Sequence, residues 1–223
     1  MIQQQQDTPL TISATSLAKR YSEVRQFSAR LAKPLSAEDC MVQSMPDASP
    51  VRWHLAHTTW FFETFVLATQ PDYKEFDPQF RFLFNSYYNA VGEQFPRSQR
   101  GLISRPGLER TLAYRQYVDE QMAEFMSHNQ ISEDILHAIE VGLNHEQQHQ
   151  ELILTDIKHA FYQNPLLPAY DPQGVFRDGP VSNNDWIRQD EGIYEIGQGA
   201  VSYTHLTLPT IPRWWSCGGG GGG

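Results

Sequence analysis

The sequence predicts a mainly α protein: a four-helix bundle followed by an incomplete β-rich segment. Three observations carry that expectation. Apolar residues recur at spacings of three and four in separate long stretches. One long crossover divides the second stretch from the third, a connection that bundles of this kind use. After Asn164 the composition turns to proline, glycine and short runs with turn signals.

Residues 1–12 are polar and read as loose. From Ser13 to Leu31 the apolar Leu17, Tyr21, Val24, Phe27 and Leu31 line one face of a first helix, which Pro34 ends. Asp47-Ala48-Ser49-Pro50 reads as a helix start, with Ser49 as N-cap and Pro50 in the first turn. The segment that follows, VRWHLAHTTWFFETFVLAT, is apolar almost all round and belongs in the middle of the bundle. Residues 71–106 read as a long, irregular, aromatic connection of the kind that usually has a functional reason. A third helix is expected from Gly107 to Ser127. A fourth is expected from Ser132 to about Tyr162, with Glu133 and Asp134 in its first turn.

Beyond the bundle (residues 13–164), Pro165, Pro168, Pro172, Gly174, Gly179 and Pro180 make a linker, and Trp186 to Gly197 reads as short strands and turns. Residues 165–200 are thus expected to open a β-rich domain that the chain does not complete. Residues 201–223, ending in six glycines, match nothing before them and read as an artefactual tail.

Composition narrows the function classes. A net charge of −9 and a pI near 5.3 argue against a nucleic acid or an anionic membrane as partner. Two cysteines, Cys40 and Cys217, are no disulfide framework, so a reducing cytoplasm is expected. No stretch approaches the ~20 apolar residues of a membrane span, and MIQQQQDTPLTIS has no basic-then-apolar signal pattern, so a soluble, intracellular protein is expected.

The chemistry concentrates on two helices. His145 and His149 lie four residues apart, about 40° round a helix, the separation at which two imidazoles can share a metal ion. His145-Glu146-Gln147-Gln148-His149 also matches the H-E-x-x-H of zinc proteases. That fold of chemistry needs a third ligand further on. Here residues 152 and 155 are Leu and Thr, and no glutamate occurs between Glu151 and Glu191. Glu151, about 240° round from His145, points away from both histidines, and a role supporting the ligands from behind or a polar role in the core suits it better. A better third ligand lies on the second helix, where His54 and His57 sit in an otherwise apolar segment. Three neutral imidazoles suit Fe(II) or Zn(II). The pairing on one face, with a buried histidine elsewhere, favours a metal over satisfied core histidines. In the crossover, Arg97 and Arg100 are either a clamp for a substrate carboxylate or solvated surface charge. Tyr87 and Tyr88 either line a pocket and donate a proton or pack on the bundle edge.

Three words of the sequence, SMPDASPVRWHLAHTTWFFETFVL, FNSYYNAVGEQFPRSQRGLISRP and GLNHEQQHQELILTDIKHAF, resemble the N-terminal DinB-like domain of the ergothioneine-biosynthesis sulfoxide synthases (hercynine oxygenases), over residues 13–200. The family's H-x-x-x-H-x-E falls on His145, His149 and Glu151, and its third iron ligand on His57. The resemblance implies a mononuclear non-haem Fe(II) held by these three histidines. It implies O2-dependent C–S bond formation between hercynine and a cysteine-type thiol (γ-glutamylcysteine or cysteine), giving a sulfoxide. It implies that Arg97 and Arg100 hold the thiol's carboxylates, that Gln148, about 60° from His145, bonds the hercynine imidazole, and that Tyr87 or Tyr88 delivers a proton or hydrogen atom. The family closes its site with a C-terminal domain resembling formylglycine-generating enzyme. Only its opening, around Asp185 to Gly199, is expected here, so iron binding is better supported than turnover. The alternative is a DinB-like metal-binding or thiol-transferase module without oxygenase activity. Arg97, Arg100 and Gln148 discriminate, because a bare bundle has no need of them.

Overall fold

The computed structural model describes residues 14–86, 88, 92–128, 131–174, 188 and 190–193. It divides the chain into two units, Met1–Tyr170 and Asp171–Gly223. In the first, α1 spans Ala14–Ala32, α2 Val51–Phe65, the short α3 Phe80–Leu83, α4 Leu108–His128 and α5 Glu133–Gln163. The ends of α1, α4 and α5 fall within one residue of the periodicity reading, because amphipathic spacing and flanking breakers are local signals.

Two boundaries differ. α2 begins at Val51 with Pro50 as its N-cap and no side-chain cap bond, so Ser49 is not the cap. The Ser49 hydroxyl instead accepts from Arg100 Nη1 at 2.9 Å, and its backbone N–H donates to Asp156 Oδ2 at 2.8 Å. At the other end α2 stops at Phe65 and the chain tightens into a 3-10 turn, Leu67–Thr69, as helix C-termini often do. The crossover is also less irregular than its composition suggests, since it holds α3 and a 3-10 turn, Arg97–Leu102.

α2 is the central helix. Every residue from Val51 to Glu63 is buried, and it packs on both α4 and α5, while α1 packs mainly on α5. Trp60, Phe61 and Phe62 are among the largest fully buried side chains, and burying each contributes about 1.5–3 kcal/mol. A helix covered on all sides must satisfy its polar groups internally. Glu63 does so by accepting from Tyr73 Oη at 2.8 Å, from Phe76 N at 3.0 Å and from the Tyr114 hydroxyl. Trp53 Nε1 donates to the Leu83 carbonyl at 3.1 Å.

Two features bring α5 against this core. Gly142 removes the side chain where α5 meets the α2 rings: a Cβ there would lie 2.6 Å from Phe62 Cε1. Four residues later, Glu146 is locked into a buried ion cluster. Arg25 Nη1 donates to its Oε2 at 3.0 Å, Arg115 Nη2 to its Oε1, and Ser28 Oγ to its Oε1 at 2.6 Å. Arg25 also reaches Asp119 Oδ1 at 2.6 Å and Thr59 Oγ1 at 3.0 Å, so one cluster ties α1, α2, α4 and α5 together. Burial pushes the Glu146 carboxyl up, but the Arg115 and Arg25 guanidiniums prevail and hold it at about 2.

In the second unit, Gln173 N–H donates to Asp171 Oδ1 at 3.0 Å and Gly174 N–H to the Asp171 carbonyl at 3.1 Å, forming a turn. Its described residues contain no strand. The strands expected over Trp186 to Gly197 lie mostly outside the described residues, as do the loose segment 1–12 and the tail 201–223. No helix among the described residues is long and apolar enough to cross a membrane.

Candidate metal centre

α2 contributes His57, and α5 contributes His145 and His149 one turn apart. The three are 2%, 1% and 8% exposed, and each offers a nitrogen within 4.8 Å of the others. Ring centroids stand 4.9 Å apart for His57 and His145, 4.8 Å for His57 and His149, and 4.5 Å for His145 and His149. His57 Nε2 lies 3.2 Å from His145 Nε2. Two metal–nitrogen bonds of about 2.1 Å meeting at about 100° put their nitrogens about 3.2 Å apart, so this spacing fits a shared ion.

The orientation of His57 is determined by a carbonyl. Its Nδ1 lies 2.6 Å from Phe84 O, which can only accept, so Nδ1 carries the proton and Nε2 the lone pair. Burial lowers the pKa of all three imidazoles. His145 falls to about 4, and His57 and His149 fall well below the usual histidine range, pushed further by the neighbouring imidazoles. They are neutral at neutral pH, the form that ligates a metal. His145 Nδ1 is buried and has no hydrogen-bond partner among the described residues.

Aromatic rings wall this group. Trp53 stacks on His57 at 4.6 Å and 15°, Trp60 at 5.6 Å and 14°, and Phe61 lies 5.0 Å from His145. Such rings exclude water and leave the histidines little room to turn.

The other sequence candidates have diverse fates. Arg100 is 3% exposed, with its guanidinium 3.4 Å from the centre of the Trp53 ring and its Nη1 and Nη2 donating to Ser49 Oγ and Ser86 Oγ at 2.9 Å each. Arg97 is exposed and donates to the Asp47 carbonyl. The two arginines of P-R-x-x-R are therefore parted, one in the wall of the histidine cluster and one at the surface. Gln148 is half-buried, and its Oε1 is a buried acceptor with no partner among the described residues. Tyr88 is half-buried against Trp60, Phe61 and Phe65, while Tyr87 lies outside the described residues.

Glu151 corrects the sequence reading. It does point away from the histidines, but it is exposed and has no role in the core. That role belongs to Glu146, whose engagement with Arg25, Arg115 and Ser28 also denies it the free carboxylate a zinc protease needs. His54, the open alternative to His57, is not in the triad. Its Nδ1 lies 2.8 Å from His149 Nδ1 and its Nε2 lies 3.0 Å from Asp156 Oδ2. No motif of the sequence marks Asp156, although it follows His149 by seven residues, about 20° from it round the helix.

Residues 20–153 match the family model described as DinB superfamily, a span of more than half the chain that contains all three histidines. Among curated proteins, none matches the chain.

Proposed function

Because this chain belongs to the DinB superfamily, whose helical domains commonly bind a metal, we propose that His57, His145 and His149 hold Fe(II) in a hercynine oxygenase. The reaction is O2-dependent C–S bond formation between hercynine and γ-glutamylcysteine or cysteine, giving a sulfoxide. The observation that carries the metal is the convergence of three buried, neutral imidazoles within 4.8 Å. The choice of substrates rests on the resemblance of the three sequence words, supported by the buried Oε1 of Gln148, next to His149 in the sequence, and by Arg100 on the Trp53 ring that walls His57. Fe(II) bound there would acidify the thiol and activate O2.

The chain's own residues position and insulate. His57, His145 and His149 would each hold the ion through one nitrogen, leaving coordination positions for small molecules. Trp53, Trp60 and Phe61 keep water off the protein side. Gln148 Oε1, without a partner among the described residues, accepts the N–H of the hercynine imidazole. Arg97 and Arg100 hold the thiol's carboxylates, Arg100 by exchanging one of its serine bonds. Tyr88 delivers a proton from the aromatic edge of the cluster.

One observation favours a second reading, a DinB-like metal-binding or thiol-transferase module without oxygenase activity. Arg100 already has a structural use on Trp53, Ser49 and Ser86, and Arg97 sits at the surface. The two readings separate in one experiment. The chain is loaded anaerobically with Fe(II), hercynine and each thiol are titrated by calorimetry, and O2 is then admitted with mass spectrometry of the products. Hercynine binding and a sulfoxide product support the oxygenase. Iron retention without hercynine binding would favour the second reading.

A further inference from the structure

We infer that Asp156 and His54 choose which nitrogen His149 offers to the metal, and that both are positioning residues of the centre. The inference rests on the three-histidine metal reading but not on iron, hercynine or the thiol.

The argument is a count of protons along a chain of buried groups. Asp156 is 9% exposed and His54 is 2% exposed. A carboxylate can only accept, so the 3.0 Å contact between His54 Nε2 and Asp156 Oδ2 places a proton on that nitrogen. A neutral imidazole has one donor and one acceptor, which leaves the His54 lone pair on Nδ1. That nitrogen faces His149 Nδ1 at 2.8 Å, and one of the two must donate. With the His54 proton committed to Asp156, the donor is His149 Nδ1–H. The lone pair of His149 is then on Nε2, the nitrogen available to a metal shared with His57 and His145.

The start of the chain is itself held in place. Asp156 Oδ2 also accepts the Ser49 backbone N–H at 2.8 Å, just before α2 begins. The carboxylate thus joins the two helices that carry the triad. His54 lies one turn before His57 on α2, and Asp156 two turns after His149 on α5, so both helices present a ligand and its support on nearly one face. His57 has a parallel arrangement, with the Phe84 carbonyl holding its Nδ1–H at 2.6 Å. Two of the three ligands therefore have their coordinating nitrogen assigned by a neighbour, an arrangement known to raise metal affinity and fix ring orientation.

Two measurements test this on the chain with Zn(II) as probe. Long-range 15N–1H correlation spectra of the Zn(II)-loaded protein should show His54 protonated at Nε2, and His57 and His149 protonated at Nδ1. Zn(II) titration against a chromophoric chelator should show Asp156→Ala and His54→Phe weakened by about 10–100-fold. Asp156→Asn should keep most of the affinity, since an amide oxygen can accept from both Ser49 and His54. Circular dichroism checks that each variant remains helical, and if one does not, the wild-type spectra still decide. Protonation of His54 at Nδ1 or of His149 at Nε2 would overturn the inference. So would wild-type Zn(II) affinity in a folded Asp156→Ala. A wild-type chain that bound neither Zn(II) nor Fe(II) would fell the metal reading itself, and one that bound both but made no sulfoxide would fell only the chemistry.

Discussion

Gly142 stands on α5 three residues before His145 and faces α2 so closely that an added Cβ would lie 2.6 Å from Phe62 Cε1, 2.9 Å from Phe61 Cε1 and 2.9 Å from Phe62 Cζ. Ordinary carbon contacts begin near 3.5 Å, so the substitution Gly142→Ala must open a gap of several tenths of an ångström. Neither ring can swing aside: both are almost completely buried, Phe62 meets Tyr21 edge-on at 4.9 Å, and Phe61 lies 5.0 Å from His145. Overpacking of this kind costs about 1–3 kcal/mol, and alanine's better helix propensity returns up to about 1 kcal/mol. The net expectation is a loss of about 1–2 kcal/mol, equivalent to a Tm lower by roughly 2–8 °C for a domain of this size. Because the displaced element carries His145 and His149, Zn(II) affinity should fall with it. Urea titration and calorimetry of the metal-free protein, followed by chelator competition, measure both. A Gly142→Ala protein as stable as the original, with unchanged metal affinity, would show that α5 does not need this close approach to build the centre.

Replacing His57, His145 or His149 with alanine should remove most of the bound metal in elemental analysis, whereas Glu151→Gln should retain it, since that carboxylate is exposed. Stoichiometric metal in His57→Ala would give the third position to His54. Arg25→Met leaves Glu146 short of one buried guanidinium and should cost about 3–5 kcal/mol in urea denaturation. A cost below about 1 kcal/mol would mean that Arg115 alone suffices for Glu146. Cys40 is fully buried, and burial pushes its thiol up to about 12. Peptide mapping after alkylation at pH 8 should therefore find Cys40 unmodified in the native protein and modified in urea; rapid native labelling would contradict its burial.

The helices and half of the centre were legible in the sequence because they rest on local geometry. A period of three and four residues places Leu17, Tyr21 and Val24 on one face whatever the neighbours are, and the same rule puts His145 beside His149. The segment around His57, apolar almost all round, likewise announced a helix covered on all sides. What the sequence left open depends on which faces dock. His57 and His54 are equivalent as residues in a buried segment. Only the Phe84 carbonyl, 27 residues away, and Asp156, 102 residues from His54, separate the one in the triad from the one behind it. Glu146 and Glu151 are both glutamates next to the histidine pair. One faces Arg25 and Ser28, 121 and 118 residues distant, and the other faces solvent. Arg97 and Arg100 parted for the same reason, because Trp53 and two serine hydroxyls received only the second. Spacing along one helix determines which side chains share a face. What that face meets is decided by contacts between distant segments, and those exist only once the helices have packed.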